Sequence, residues 1–347
     1  MNVAWAHYEA VASGAPGTSM PAHRGWLRSA FYLWQGLERH LHVVDIPEEP
    51  CHPKMVLHFC PPQLFTPIQG KVNVCFSMYE GGALPPEMVL RLRRADWCIV
   101  PSRYNQEVWR NHGLDAAVVP LGVPEPYVTC DHSRRVLTGS DRVLRFLWVG
   151  STLGRKGWEL LMPAWSHVFR PADPAQLYCK TIAIGQQGVQ KHYGERIIVD
   201  TRDLSEEEML ELYLSADVFL FPSLGEGFGL PALEAMASGC LVVAPQITGL
   251  TEFVEPYTAV TIALSQPVVA EYGAKYVTRF PTIEGLAMAL RRVVLGWGTA
   301  PIESIRRTGT KHARKFTWAA SAARLAEVLR VIAEKNGLPV EEGVLVH

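Results

Sequence analysis

Apolar runs of strand length alternate along the chain with segments whose apolar residues recur at helical spacing, the pattern of parallel strands crossed over by helices. In the first half, Asn2–His7, His42–Ile46, Met55–Phe59, Val72–Ser77, Trp97–Pro101 and Ala117–Val119 read as strands. Trp26–His40, Pro86–Arg94 and Tyr104–His112 read as helices between them, and Ser102 stands where it can cap the last. Pro120–Ser140 carries three prolines and no apolar period, and reads as a linker. A second series follows, with strands at Val143–Gly150, Tyr178–Ile184, Ile197–Val199, Val218–Pro222, Leu241–Ala244 and Val260–Ile262. Its helices are expected at Trp158–Arg170, Ser205–Ser215, Pro231–Ser238 and Ile283–Trp297. Two such series imply an α/β protein of two Rossmann-like, doubly wound domains facing each other across a cleft, where ligands meet the carboxyl ends of the strands. The expected division is 1–125, a linker at 126–142, 143–310, and a terminal stretch 311–347 whose helix, Thr317–Lys335, packs back on the first domain.

Composition narrows the classes. The chain has 347 residues, enough for two cores, and its 48% hydrophobic and 19% charged residues describe a folded protein. A formal charge of −1 supplies no general attraction to nucleic acid or anionic lipid, so an anion site has to be local. Seven cysteines without a C-x-x-C pair argue against a disulfide framework or a zinc site and fit reduced thiols in a cytoplasm. No leader pattern opens the chain, and no stretch reaches the roughly 18–20 apolar residues of a membrane span.

Residues 217–245, DVFLFPSLGEGFGLPALEAMASGCLVVAP, hold the most chemistry. A buried strand ends at Pro222 and a loop with Gly225, Gly227 and Gly229 follows; glycine there lets a ligand approach the backbone closely. Pro231 suits a first helical turn and Gly239 a helix stop. Such a turn offers free N–H groups and the positive end of a helix dipole, suited to a diphosphate or to sugar hydroxyls. Glu226 lies in the loop and Glu234 in the helix, with seven residues between them, so they do not share one helical face. Each is instead suited to a different set of ligand hydroxyls. A dinucleotide fingerprint fails at Leu230, and a P-loop fails at Arg155 and Gly157.

The string Leu204-Ser205, Asp217-Val218, Pro222-Ser223, Glu226 through Pro231, Glu234 through Ala237 and Gly239 resembles the donor-site signature of retaining GT-B glycosyltransferases. That group (group 1, family 4-like) includes sucrose synthases and bacterial mannosyl- and glucosyltransferases. Phe146–Gly150 with Arg155-Lys156-Gly157 extends the likeness, as do Ala95-Asp96, Val100-Pro101-Ser102 and Val119 through Val123. It covers roughly residues 72–330 and is closest after 145. The resemblance implies a hexosyltransferase acting on a nucleotide-diphosphate sugar, UDP- or GDP-linked, with retention of anomeric configuration.

It also implies roles. Glu226 would hold the donor sugar together with the backbone of Gly227, Phe228, Gly229 and Leu230, and Glu234 the ribose. Lys156 and Arg155 would bind the diphosphate, and Leu204 would meet the nucleobase. Ser151 stands where many relatives carry an arginine, so that either Arg155 has taken over that charge or the grip on the phosphates is weaker. The sequence contains no Asp-x-Asp metal motif, so neither a metal nor another cofactor is expected. Glu80, Gly17 and His23 are the acceptor-side candidates, from loops that follow first-domain strands. Saccharide, lipid, protein, metabolite and modified DNA all stay open as acceptors. The alternative reading is a GT-B-like protein that binds a nucleotide sugar with little or no turnover.

Overall fold

The computed structural model describes residues 2–7, 25–45, 54–131, 143–152, 154–181, 190–193 and 196–339. Among them the first lobe holds β1 (Asn2–His7), α1 (Gly25–Leu37), β2 (His42–Asp45), β3 (Met55–Phe59), β4 (Val72–Phe76), α2 (Pro86–Leu92), β5 (Trp97–Val100), α3 (Arg103–Arg110) and β6 (Ala116–Val118). Its six strands form one parallel sheet in the order β2-β1-β3-β4-β5-β6. β3 is buried along its whole length, as a strand covered on both faces is, and its one polar residue, His58, is hydrogen-bonded to Asn73 Oδ1 at 2.9 Å. Ser102 caps α3 by accepting a hydrogen bond from the Asn105 N–H.

After α4 (Glu125–Thr129), the second lobe contains β7 (Leu144–Val149), α5 (Trp158–Val168), β8 (Ala175–Lys180), β9 (Gln190–Tyr193), β10 (Ile197–Asp200), α6 (Glu206–Ser215), β11 (Val218–Leu220), α7 (Leu230–Ala237), β12 (Leu241–Ala244) and β13 (Val260–Thr261). The sheet order is β13-β12-β11-β7-β8-β10-β9, parallel except for β9, which pairs antiparallel with β10 at the edge. β14 (Val268–Tyr272) and β15 (Ala274–Thr278) form a separate antiparallel hairpin, and α8 (Ile283–Gly296), α9 (Ala300–Ala313) and α10 (Trp318–Lys335) follow. No described helix is long and apolar enough to cross a membrane.

The structure departs from the sequence reading in several places, the unexpected edge strand β9 among them. α4 occupies part of the stretch read as a linker, anchored by the fully buried Tyr127 against the Tyr213 ring. The hairpin β14–β15 and helix α9 were not expected. The inner face of α9 relies partly on small residues: a side chain at Gly309 would lie 2.3 Å from the Thr258 carbonyl oxygen, so part of its contact carries no apolar signal. β8 begins at Ala175 rather than Tyr178, and the expected continuation to Ile184 lies outside the described residues.

The lobes share packing. α10 lies on α1, so closely that a Cβ at Gly36 would sit 2.4 Å from the Ala322 Cβ. The Val123 N–H donates to the carbonyl of Phe316, just beyond α9, at 2.9 Å. The Ser102 hydroxyl donates to the Gly227 carbonyl at 3.0 Å, tying α3 to the glycine loop of the second lobe. The hairpin reaches back as well, since the Tyr79 hydroxyl donates to the Tyr272 carbonyl and Gly273 sits against Pro85.

Candidate active site

The carboxyl ends of β7, β8 and β11 open on a cleft of about 350 Å³, lined from the opposite side by Arg28, Ser29, Met78, Glu80 and Leu121. Ser151, Arg155, Lys156, Leu204, Glu226, Gly227, Phe228, Gly229, Leu230 and Glu234, together with Glu80, all line it. Gly17 and His23 lie outside the described residues. The sequence-derived candidates therefore meet in one cavity, although they come from segments up to about 150 residues apart.

At one end is a charge cluster. The Lys156 ammonium donates to Glu226 Oε1 at 2.6 Å, and Arg155 lies 2.9 Å from Oε2. The Ser223 hydroxyl is the third partner of this carboxylate, donating to Oε1 at 2.7 Å. Burial alone would push the Glu226 carboxyl up; the two cations and these hydrogen bonds outweigh it and bring its pKa down to about 2. Burial pulls Lys156 below the ordinary lysine value, against the attraction of Glu226. Arg155 loses hydration too, but Glu226 and Glu80 more than compensate, and its pKa rises. Its second arm reaches Glu80 Oε1 at 2.8 Å, so the acceptor-side candidate belongs to the same network.

Backbone bonds hold this cluster in place. The Glu226 N–H donates to the Thr248 hydroxyl at 2.9 Å, and the Glu226 carbonyl accepts from the Gly249 N–H at the same distance. Thr248 is the only described non-glycine residue with positive φ, at 50°. Arg155 and Lys156 lie in a short 3-10 turn that ends at Gly157, whose φ is 74°. A side chain there would meet the Pro222 carbonyl oxygen at 2.1 Å, so only glycine allows the basic pair to approach the end of β11 this closely.

α7 starts beyond Gly229, which has φ 102°, and its first bonds run from the Ala232 and Leu233 N–H groups to the Gly229 carbonyl. Gly229, Leu230 and Pro231, at the positive end of the helix dipole, line the cleft. One turn further in, Glu234 is almost entirely buried. Its Oε1 accepts from Arg28 Nη1 at 2.7 Å and its Oε2 from the Tyr213 hydroxyl at 3.1 Å. Burial raises the Glu234 carboxyl above the ordinary value, partly countered by Arg28 and Tyr213.

Arg28 escaped the sequence reading. It lies on α1 of the first lobe and carries no motif, whereas its partners Glu234 and Glu206 belong to α7 and α6. Lys180 and Thr181, at the end of β8, were also missed. The only available signal was position: Lys180 ends β8 and Thr181 follows it, at the sheet's carboxyl edge.

Comparison with known proteins agrees with this geometry. Residues 144–275 match the family model of the glycosyl transferases group 1. The chain is 35% identical over 124 residues to D-inositol 3-phosphate glycosyltransferase of Corynebacterium diphtheriae, a match covering 35% of this chain and 25% of that protein. It is 36% identical over 110 residues to the serotype-specific mannosyltransferase WbdA of Escherichia coli, covering 29% of this chain and 13% of the relative. The matches thus span a quarter or less of these relatives' length. Among solved structures, sucrose-phosphate synthase from Thermosynechococcus elongatus superposes with a TM-score of 0.63 at 18% identity, over 93% of this chain and 82% of the other. The Anabaena protein HepE, in complex with UDP and glucose, superposes with a TM-score of 0.57 at 16% identity, over 75% and 72%. The architecture is the two-lobed GT-B fold of these solved structures. Within it, the stretch 144–275 is similar to the group 1 glycosyl transferases.

Proposed function

We propose that this chain transfers a hexose from a nucleotide-diphosphate sugar to a hydroxyl acceptor, retaining the anomeric configuration and using no metal. The observation that carries the reading is the pairing, within one cavity, of a basic cluster at Arg155–Lys156 with a separate buried carboxylate at Glu234. The diphosphate lies against Lys156, Arg155 and the start of α7. There, charge develops on the leaving phosphate oxygen as the glycosidic bond breaks, and preorganised cations lower the barrier most. Glu226 accepts hydrogen bonds from the sugar hydroxyls. Glu234 accepts those of the ribose, and Leu204 packs beside the base. The acceptor hydroxyl then attacks from the face the diphosphate leaves, near Glu80.

UDP- and GDP-linked donors are the favoured classes; the HepE structure holds UDP and glucose in a protein of the same fold. The test is a thermal-shift screen of UDP-, GDP-, ADP- and dTDP-sugars in the presence of EDTA, followed by donor hydrolysis with the stabilising compound. One class should stabilise the protein and be hydrolysed slowly, with hydrolysis lost in Glu226→Ala. Stabilisation without any turnover would instead favour a nucleotide-sugar binding protein, and a requirement for a divalent cation would remove the metal-free mechanism.

A further inference from the structure

The first lobe places one cation deep in the nucleotide end of the cleft. Arg28 is buried, and its guanidinium spans two carboxylates of the second lobe, Glu234 at 2.7 Å and Glu206 at 2.5 Å. Its position is over-determined. The guanidinium carbon lies 5.9 Å from the Tyr32 ring and 5.8 Å from the Tyr127 ring, and the Tyr32 hydroxyl donates to the other oxygen of Glu206. The guanidinium thus bridges two carboxylates with one N–H arm each, and the charge-assisted bond to Glu234 fixes that carboxylate's orientation.

A carboxylate offers about four lone-pair positions. Arg28 takes one on Oε1 of Glu234 and Tyr213 one on Oε2, so each oxygen keeps capacity for one further donor. Glu234 nevertheless lines the cavity. The arrangement is that of an acceptor with two free sites, one per oxygen, which matches the paired hydroxyls of a ribose. Two demands conflict here. A buried carboxylate tends to neutralise, and a neutral carboxyl accepts hydrogen bonds poorly and in the wrong orientation. A neighbouring guanidinium opposes both effects.

Resting on the nucleotide-sugar reading above, we propose that Arg28 is a positioning residue of the donor site: from the opposite lobe it holds the Glu234 carboxylate charged and oriented to receive the ribose 2′- and 3′-hydroxyls. The ribose grip is therefore complete only when both lobes contribute, and recognition of a ribonucleotide depends on a side chain that need not touch it. The groups facing Glu234 are Arg28 of α1, Tyr213 and Glu206 of α6, and Tyr127 of α4. Arg306 and Arg314 of α9 donate to the carbonyls of Gly239 and Ala237 at the far end of α7. Among the described residues, Arg28 is the one cation in the set of groups facing Glu234.

The test compares wild type, Arg28→Met and Arg28→Lys by calorimetric titration of UDP and GDP, and of their 2′,3′-dideoxy forms, between pH 6 and 9. Methionine keeps the aliphatic stem against the tyrosines and removes the charge. Wild type should bind one ribonucleotide with a flat pH profile and prefer it to the dideoxy form by about ten-fold or more, the worth of hydrogen bonds to a charged acceptor. In Arg28→Met the preference should collapse, and residual affinity for the ribonucleotide should rise with pH as Glu234 ionises. Arg28→Lys should keep the flat profile and most of the preference; loss of either in a folded Arg28→Lys overturns the proposal, and this variant decides the matter if Arg28→Met does not fold. An Arg28→Met protein that binds more tightly than wild type, with the preference intact, would show that Arg28 competes with ribose and overturns the positioning role alone. Failure of wild type to bind either nucleotide overturns the donor reading and the inference together.

Discussion

Replacing Glu226 by glutamine removes one negative charge from the centre of the basic cluster while keeping its shape. The magnitude follows from the carboxyl's pKa of about 2 against an ordinary glutamate value of 4.5. That difference corresponds to roughly 3 kcal/mol of preference for the ionised form in the folded protein. The depressed value means that this stability is present above the unfolded pKa and is lost as pH falls through the folded one. Glu226→Gln lacks it at every pH. Glutamine still accepts one hydrogen bond, so the expected loss at pH 7 is about 2–3 kcal/mol, several degrees in melting temperature. The gap to wild type should shrink by about 1.4 kcal/mol, roughly half of it, by pH 3.5. A second signature has the opposite sign. With Lys156 and Arg155 released from Glu226, UDP or GDP should raise the melting temperature of the variant more than that of wild type, because more of the binding free energy goes to the phosphates. Scanning fluorimetry at pH 7, 5 and 3.5, with and without nucleotide, measures both. Equal stability at pH 7, or a gap that does not change with pH, would refute the electrostatic account of this cluster.

Other outcomes follow from the same geometry. Lys156→Ala should abolish most of the thermal shift produced by the diphosphate nucleotide, with EDTA making no difference to wild type; a shift that survives in the variant would place the phosphates elsewhere. Gly157→Ala introduces a Cβ 2.1 Å from the Pro222 carbonyl at a φ of 74°. It should cost about 2–5 kcal/mol and be visible as a depressed melting temperature and reduced expression. Glu80→Gln removes one partner of Arg155 without touching the nucleotide end. It should lower transfer to an acceptor while leaving donor hydrolysis within a few-fold, and an equal loss of both would remove Glu80 from the acceptor side.

The elements that carry strong local signals were legible in the sequence. β11, the glycine loop and α7 are specified by a run of buried apolar residues, three glycines and a proline in a first turn, and the structure keeps each within a residue or two. The basic pair was legible because Gly157 and the end of β7 bracket it. Arg28 was not, since an arginine on an amphipathic helix ordinarily faces water and only tertiary packing brings it to Glu234 and Glu206. The hairpin β14–β15 has the same origin. Val269 and Val277 are 72% and 70% exposed, so no buried face marks it, and it is held by tyrosine contacts to the first lobe. α9 was hidden because its inner face uses Gly309 and Ala313 as well as Ile302 and Ile305.

The most direct test is a crystal structure with the stabilising nucleotide bound. The ribose hydroxyls should lie within hydrogen-bonding distance of the Glu234 carboxylate, and the diphosphate should contact Lys156 and Arg155 in the cleft between the lobes. A nucleotide bound outside that cleft, or one whose ribose leaves Glu234 untouched, would contradict the assignment.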